Sequence, residues 1–343
     1  MIGIESLGLT AVTAAFVVCA LVIAVVGTRL TNVADELADR TGLGEAVTGA
    51  VLLGAATSLS GIVLSVTAAA RDQPELAMSN ALGGIAAQTV FLAMADVVYR
   101  RANLEHAAAS IANLAQAALL LGLLSLLLIG AYSPDVHWLG VHPITPILFV
   151  AYVFGLQLVR NAEAAPMWTP RRTQETRTDS PDENNKAMSL VRLWGGFFVL
   201  AAILGLTGYV LESVASRLGS ATGMSDTAVG VVLTAISTSL PELVTSIAAV
   251  RRGALQLAVG GIIGGNAFDC LFAATSDIAY RDGSIYHAVS GDTLLWVALS
   301  VAMTAVLLLG LIRRQKQGIG NIGFESATLF GLYGAGILMV VRG

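Results

Sequence analysis

Charge is scarce in this sequence. Only 12% of the 343 residues are charged, where a soluble chain carries about a quarter, and the mean hydropathy is +0.76. An ordinary soluble domain is thereby excluded. A net charge of −4 gives no electrostatic case for nucleic acid or another polyanionic partner. Cysteine is nearly lacking as well. Cys19 and Cys270 both fall inside apolar runs and read as small hydrophobes, which excludes a disulfide framework or a thiolate metal centre. None of the four histidines (His106, His137, His142, His287) lies mid-span, so a histidine proton relay is not expected. With no histidine or lysine at membrane depth to activate Ser239, an intramembrane hydrolase has no base, and neither an enzyme nor an organic cofactor is indicated. No Lys or Arg precedes the first apolar run, which therefore lacks the start of a secretory signal peptide and reads as a retained span.

What the sequence has is apolar runs long enough to cross a bilayer. Ten are expected, at about 7–28, 43–70, 76–99, 106–130, 143–160, 188–210, 225–250, 255–279, 291–312 and 322–341. One markedly polar stretch with Pro166, Pro170 and Pro181 separates the fifth from the sixth and reads as a flexible linker over 166–187, between a first half at 1–165 and a second at 188–343. Most basic residues, among them Arg29, Arg40, Arg100, Arg101, Arg160, Lys186, Arg251, Arg252, Arg313 and Arg314, gather at alternate loops. Only Arg71, Arg217, Arg281 and Arg342 fall at the others. Basic residues accumulate on the cytoplasmic side, so the linker is expected inside and both termini outside a plasma or inner membrane.

The two halves resemble each other. Gly49–Asp96 aligns with Gly230–Asp277 at a constant shift of 181 residues without a gap, and roughly 18 of 48 positions are identical. Thr57-Ser58-Leu59 matches Thr238-Ser239-Leu240, Gly83-Gly84 matches Gly264-Gly265, and Asp96 matches Asp277. Five spans separate the copies, so they enter the membrane in opposite directions. The fold expected is an all-α membrane protein of about ten transmembrane helices arranged as two inverted five-helix repeats, with any substrate site near the midplane on broken helices. Pro241 supplies such a break in the second copy, because it has no N–H to donate. The pairs Gly260/Gly264 and Gly261/Gly265 also suit close helix packing.

Two acids lie at membrane depth. Glu242 is mid-span and Asp269 well inside the next span, and no Lys or Arg stands at the same depth, which leaves protons or metal cations as the compensating charge. Thr238 and Glu242 are four apart on one helix face, as are Gly265 and Asp269, with Asn266 nearby. Hydroxyl, carboxylate and amide oxygens are the hard ligands that suit Na⁺ and Ca²⁺. Asp96 and Asp277 sit at span ends and are expected to be interfacial charges near water.

TSLPELVTSI followed by GGIIGGNAFD resembles the alpha-repeat signature of the sodium/calcium exchanger (cation/calcium antiporter) superfamily. The resemblance implies a secondary antiporter in which Glu242 and Asp269 are the acidic ligands and Thr238 and Ser239 supply hydroxyls. The first copy keeps Thr57 and Ser58 but has Ser60-Gly61 where the family pattern expects Pro-Glu. It has Gly84-Ile85 and Gln88 where Ser-Asn and then Asn are expected, and Gly265 replaces a serine in the second copy. One carboxylate is thus missing, Gln88 offers a neutral amide oxygen, and Gly61 leaves a gap for water or backbone carbonyls. The partners implied are inorganic cations and the lipid bilayer. Na⁺ or H⁺ would exchange against Ca²⁺ or another cation by alternating access. A sodium/proton exchanger with little Ca²⁺ transport, and a transport-deficient scaffold of the same fold, stand as alternatives.

Overall fold

The computed structural model describes residues 8–42, 45–177, 189–222, 235–318 and 322–342, and these are helical apart from loops and one isolated bridge between Trp138 and Val141. In chain order the helices are α1 (Leu9–Thr41), α2 (Ala46–Thr57), α3 (Leu59–Ala69), α4 (Pro74–Val98), α5 (Leu104–Ala107), α6 (Ile111–Tyr132) and α7 (Ile144–Ala164). The second half supplies α8 (Leu190–Thr222), α9 (Ala235–Thr238), α10 (Leu240–Arg252), α11 (Leu255–Ala279), α12 (Gly291–Arg313) and α13 (Phe324–Arg342). Among the described residues, seven helices are each long and apolar enough to cross a bilayer, and the bent pair α2–α3 makes an eighth. The other two expected spans are α9–α10, whose first part at 225–234 lies outside the described residues, and α13, in which the apolar stretch is the shorter Phe324–Met339.

The expected fourth span begins later than its apolar run. Ser110 accepts the N–H of Asn113 at 3.1 Å and starts α6 at Ile111, while α5 is a separate turn before it. The described part of the linker is also less free than its composition suggests. Thr173 meets His106 at 2.8 Å, the N–H of Arg177 donates to the carbonyl of Ala107, and Arg314 donates to the carbonyl of Arg171.

Two layers explain the packing. Helices α4 and α11 are buried almost from end to end and cross at the centre, each backed by the other half's broken pair. Glycine makes the approach of α2 to α11 possible. A Cβ on Gly264 would fall 2.1 Å from that of Ala50, and one on Gly49 would fall 2.6 Å from the carbonyl oxygen of Leu257, so backbones touch where side chains elsewhere intervene. Around this core, α1 and α8 pack on each other and turn Val17, Val18, Leu21, Phe198, Val199 and Leu206 outward. Such a belt would aggregate in water and is the ordinary surface of a helix in lipid.

Asp96 and Asp277 depart from expectation. Neither is an interfacial charge; both are fully buried and each ties one half to the other. Asp96 accepts from the N–H of Leu104 at 2.6 Å, the hydroxyl of Ser326 at 2.8 Å and the N–H of Gly323 at 3.5 Å. Asp277 accepts from the N–H of Ile285 at 3.2 Å, the hydroxyl of Thr145 at 2.6 Å and the N–H of His142 at 2.8 Å. Every partner is related to its counterpart by the same 181-residue shift. The repeat therefore continues to the start of the last helix of each half, beyond Gly49–Asp96 and Gly230–Asp277, and Tyr99-Arg100 with Tyr280-Arg281 and His106-Ala107 with His287-Ala288 carry the identity onward. A span end near water was a fair reading from position alone; the loops that follow fold back over the carboxylates and exclude water.

Candidate cation site

The site starts from two broken helices. Helix α2 stops at Thr57, Ser58 takes φ −78° and ψ 0°, and α3 restarts at Leu59 with a 51° bend. Its mate α9 stops at Thr238, Ser239 takes φ −92° and ψ 3°, and α10 restarts at Leu240. Pro241 falls in the first turn of α10, where a missing N–H has no helical acceptor to disappoint. The break expected from Pro241 is present, and the first copy breaks at the matching position without a proline. There the Thr57 hydroxyl donates to the carbonyls of Leu53 and Gly54, both at 3.0 Å.

Both breaks abut α4 and α11 around a small internal cavity. Ser58, Gly61, Asn80, Gly84, Gln88, Thr238, Ser239, Glu242, Asp269 and Phe272 line it. Ser58 donates from the first break to Glu242 Oε1 at 3.4 Å. Gln88 donates through Nε2 to Asp269 Oδ2 at 2.7 Å and to the Ser239 hydroxyl at 3.5 Å. Thr238 donates to Asn80 Oδ1 at 3.3 Å, and Asn80 Nδ2 in turn donates to the Gly61 carbonyl at 3.1 Å and to Ser65 at 2.9 Å. Glu242 and Asp269 are each only 2% exposed. Among the described residues neither pairs with a basic group, and Glu242 Oε2, Asp269 Oδ1 and Gln88 Oε1 have no hydrogen-bond partner. Buried acceptors left without donors are costly, two carboxylates side by side more so. Their arrangement suits a cation held by oxygen ligands.

Of the residues expected at a site, Ser58, Gln88, Thr238, Ser239, Glu242 and Asp269 converge here. Thr57 is outside the cavity lining; its hydroxyl donates to its own helix and also acts on the Glu242 carboxylate. Asn266 is buried outside the cavity lining; its Nδ2 donates to Thr89 at 2.9 Å and its Oδ1 has no partner. The gap expected at Gly61 is closed. A Cβ on Gly61 would lie 2.7 Å from Cε2 of Phe272, so an aromatic ring occupies the space of a first-copy acid. Asn80 and Phe272 were not expected at the site. Asn80 could have been found, since Asn80, Gly84 and Gln88 follow one another at helical spacing on one face of α4. Phe272 gave no signal, because an aromatic residue in an apolar helix reads as core.

The family model described as "Sodium/calcium exchanger protein" matches residues 11–158 and 192–342, nearly the whole chain. The chain belongs to the sodium/calcium exchanger family. Inner membrane protein YrbG of Escherichia coli (strain K12) is 29% identical over 269 residues, covering 75% of this chain and 76% of its own length. The sodium/calcium exchanger MaX1 of Methanosarcina acetivorans is 30% identical over 152 residues, 41% of this chain and 43% of that protein. The sodium-calcium exchanger NCX_Mj, in crystals soaked with Na⁺ and Sr²⁺, superposes with a TM-score of 0.69 at 19% identity over 96% of this chain and 99% of that one. The ten-helix inverted-repeat fold is thereby shown, and so is membership in a family of cation antiporters rather than enzymes.

Proposed function

We propose that this member of the sodium/calcium exchanger family carries Ca²⁺ or another cation against Na⁺ or H⁺ by alternating access, with Glu242 and Asp269 as charged ligands. Ser58, Gln88, Thr238 and Ser239 complete the oxygen set. The observation that carries the proposal is the pair of buried carboxylates, each with an oxygen lacking any donor, facing one cavity where the two breaks meet. Two negative charges balance one Ca²⁺ or two monovalent ions. An empty site would leave both charges uncompensated in low dielectric, so reorientation without cargo is disfavoured and the opposing fluxes are coupled.

One observation favours a second reading. Phe272 fills the space beside Gly61, so the first half brings no acid and fewer oxygens than Ca²⁺ prefers. Exchange of Na⁺ for H⁺ needs fewer ligands. The linker is placed in the cytoplasm and both termini outside, supported by the one-sided crowding of Arg and Lys. The halves at 1–165 and 188–343 are taken as the two repeats joined by the linker at 166–187, and alternating access would slide one bundle against the repeat helices.

The test is flux. Liposomes loaded with Na⁺ and diluted into Na⁺-free buffer should take up radioactive calcium, and Glu242→Gln should not. Gradient-driven uptake by that variant would refute the site. A folded wild type that moves protons but no calcium would select the second reading.

A further inference from the structure

The two aspartate latches do the same structural task with different company. Around Asp277 the positions matching Glu105 and Glu325 are Tyr286 and Ile144, and Tyr286 meets the Thr145 hydroxyl at 2.9 Å. Around Asp96, on the linker side, two further acids are packed into the interior. Glu105, Glu325 and Asn103 are each 0% exposed. None of the four carboxylate oxygens of Glu105 and Glu325 has a donor, and neither polar atom of the Asn103 side chain has a partner. The Glu105 and Glu325 carboxylates act on each other and both feel Asp96, and a Cβ on Gly323 would meet both Glu325 Oε1 and Asn103 Nδ2. The opposite latch closes without such acids, so closure does not require them.

We propose that Glu105 and Glu325 form a proton-binding carboxyl pair on the linker-side face, holding one proton between them in the closed latch and loosening it when that proton leaves. Two facing carboxylates are both acceptors, and one proton supplies the missing donor. Burial, with the charges of Asp96 and Glu325, pushes the Glu105 carboxyl well above its ordinary range. Arg313 acts on Glu325 from α12. On the far side of α5, His106 meets Thr173 and lies near Glu175, which Lys316 holds at 2.6 Å, while Arg314 donates to the carbonyl of His106. A carboxyl that binds protons more tightly folded than unfolded stabilises the fold at low pH and loses that contribution as pH rises.

The experiment uses the full chain in detergent, carrying Glu242→Gln and Asp269→Asn so that neither carboxylate of the transport site titrates. Thermal unfolding should drop by a few degrees as pH is raised from about 5 to about 8. Glu105→Gln should remove most of that drop, and Glu325→Gln should do the same independently. The infrared band of a protonated carboxyl should titrate in the same range and vanish in either variant. Parallel melting curves with an unchanged band would overturn the proposal. So would calcium-dependent stabilisation that Glu105→Gln abolishes, which would make the pair a divalent-cation site instead.

Discussion

The two halves of this exchanger share a skeleton and divide its charges unequally. At the central cavity the second half gives both carboxylates, Glu242 and Asp269, while the first half gives Ser58, Asn80 and Gln88, all neutral. At the latches the balance reverses, with Glu105 and Glu325 around the first half's Asp96, and Tyr286 and Ile144 around Asp277. Backbone hydrogen bonds, helix breaks and glycine contacts are what the repeats keep. Electrostatics is where they have diverged, and a repeat detected by identity alone says little about which copy carries the chemistry.

The largest effect should come from the half that holds the acids. Glu242→Gln is expected to reduce cation flux in liposomes to the level of empty vesicles. Ser58→Ala, its neutral counterpart across the cavity, should leave transport measurable and weaken apparent cation affinity by about tenfold or less, a loss of about 1 kcal/mol. Equal defects in the two would break the comparison. Between these extremes lie two tests of structure. Asp277→Ala strands three donors and should lower unfolding stability by about 3 kcal/mol, read from thermal melts. Gly61→Ala should cost about 1–3 kcal/mol by pressing on Phe272, and Phe272→Leu should recover most of it. Failure of that rescue would mean the ring does not occupy the place of the absent acid.

Much of this was legible in the sequence. Apolar length gave the spans, the 181-residue shift gave the inversion, and depth in the membrane singled out Glu242 and Asp269. The break at Pro241 was legible because proline acts locally. Its partner at Ser58 was not, since no proline marks that position. Asn266, three residues from Asp269, spends its Nδ2 on Thr89 of α4 and keeps a buried Oδ1 without a partner, an arrangement its position alone does not reveal. Asp96 and Asp277 were misplaced because their surroundings come from loops and helices far along the chain, and position within a span says nothing of what folds over it. Phe272 is the same kind of miss: its meaning depends on a glycine in the other half.

The latches also bear on how such a chain is assembled. Asp96 of the first half closes on Gly323 and Ser326 of the second, and Asp277 of the second closes on His142 and Thr145 of the first. Each half therefore keeps the other's last helix in place, in the manner of two strangers exchanging hostages. A half made alone would bury a carboxylate with donors missing, whereas two halves made separately and brought together in one membrane hold everything the closures need. The peptide connection between them is then a convenience of synthesis, and severing it should spare the assembled exchanger.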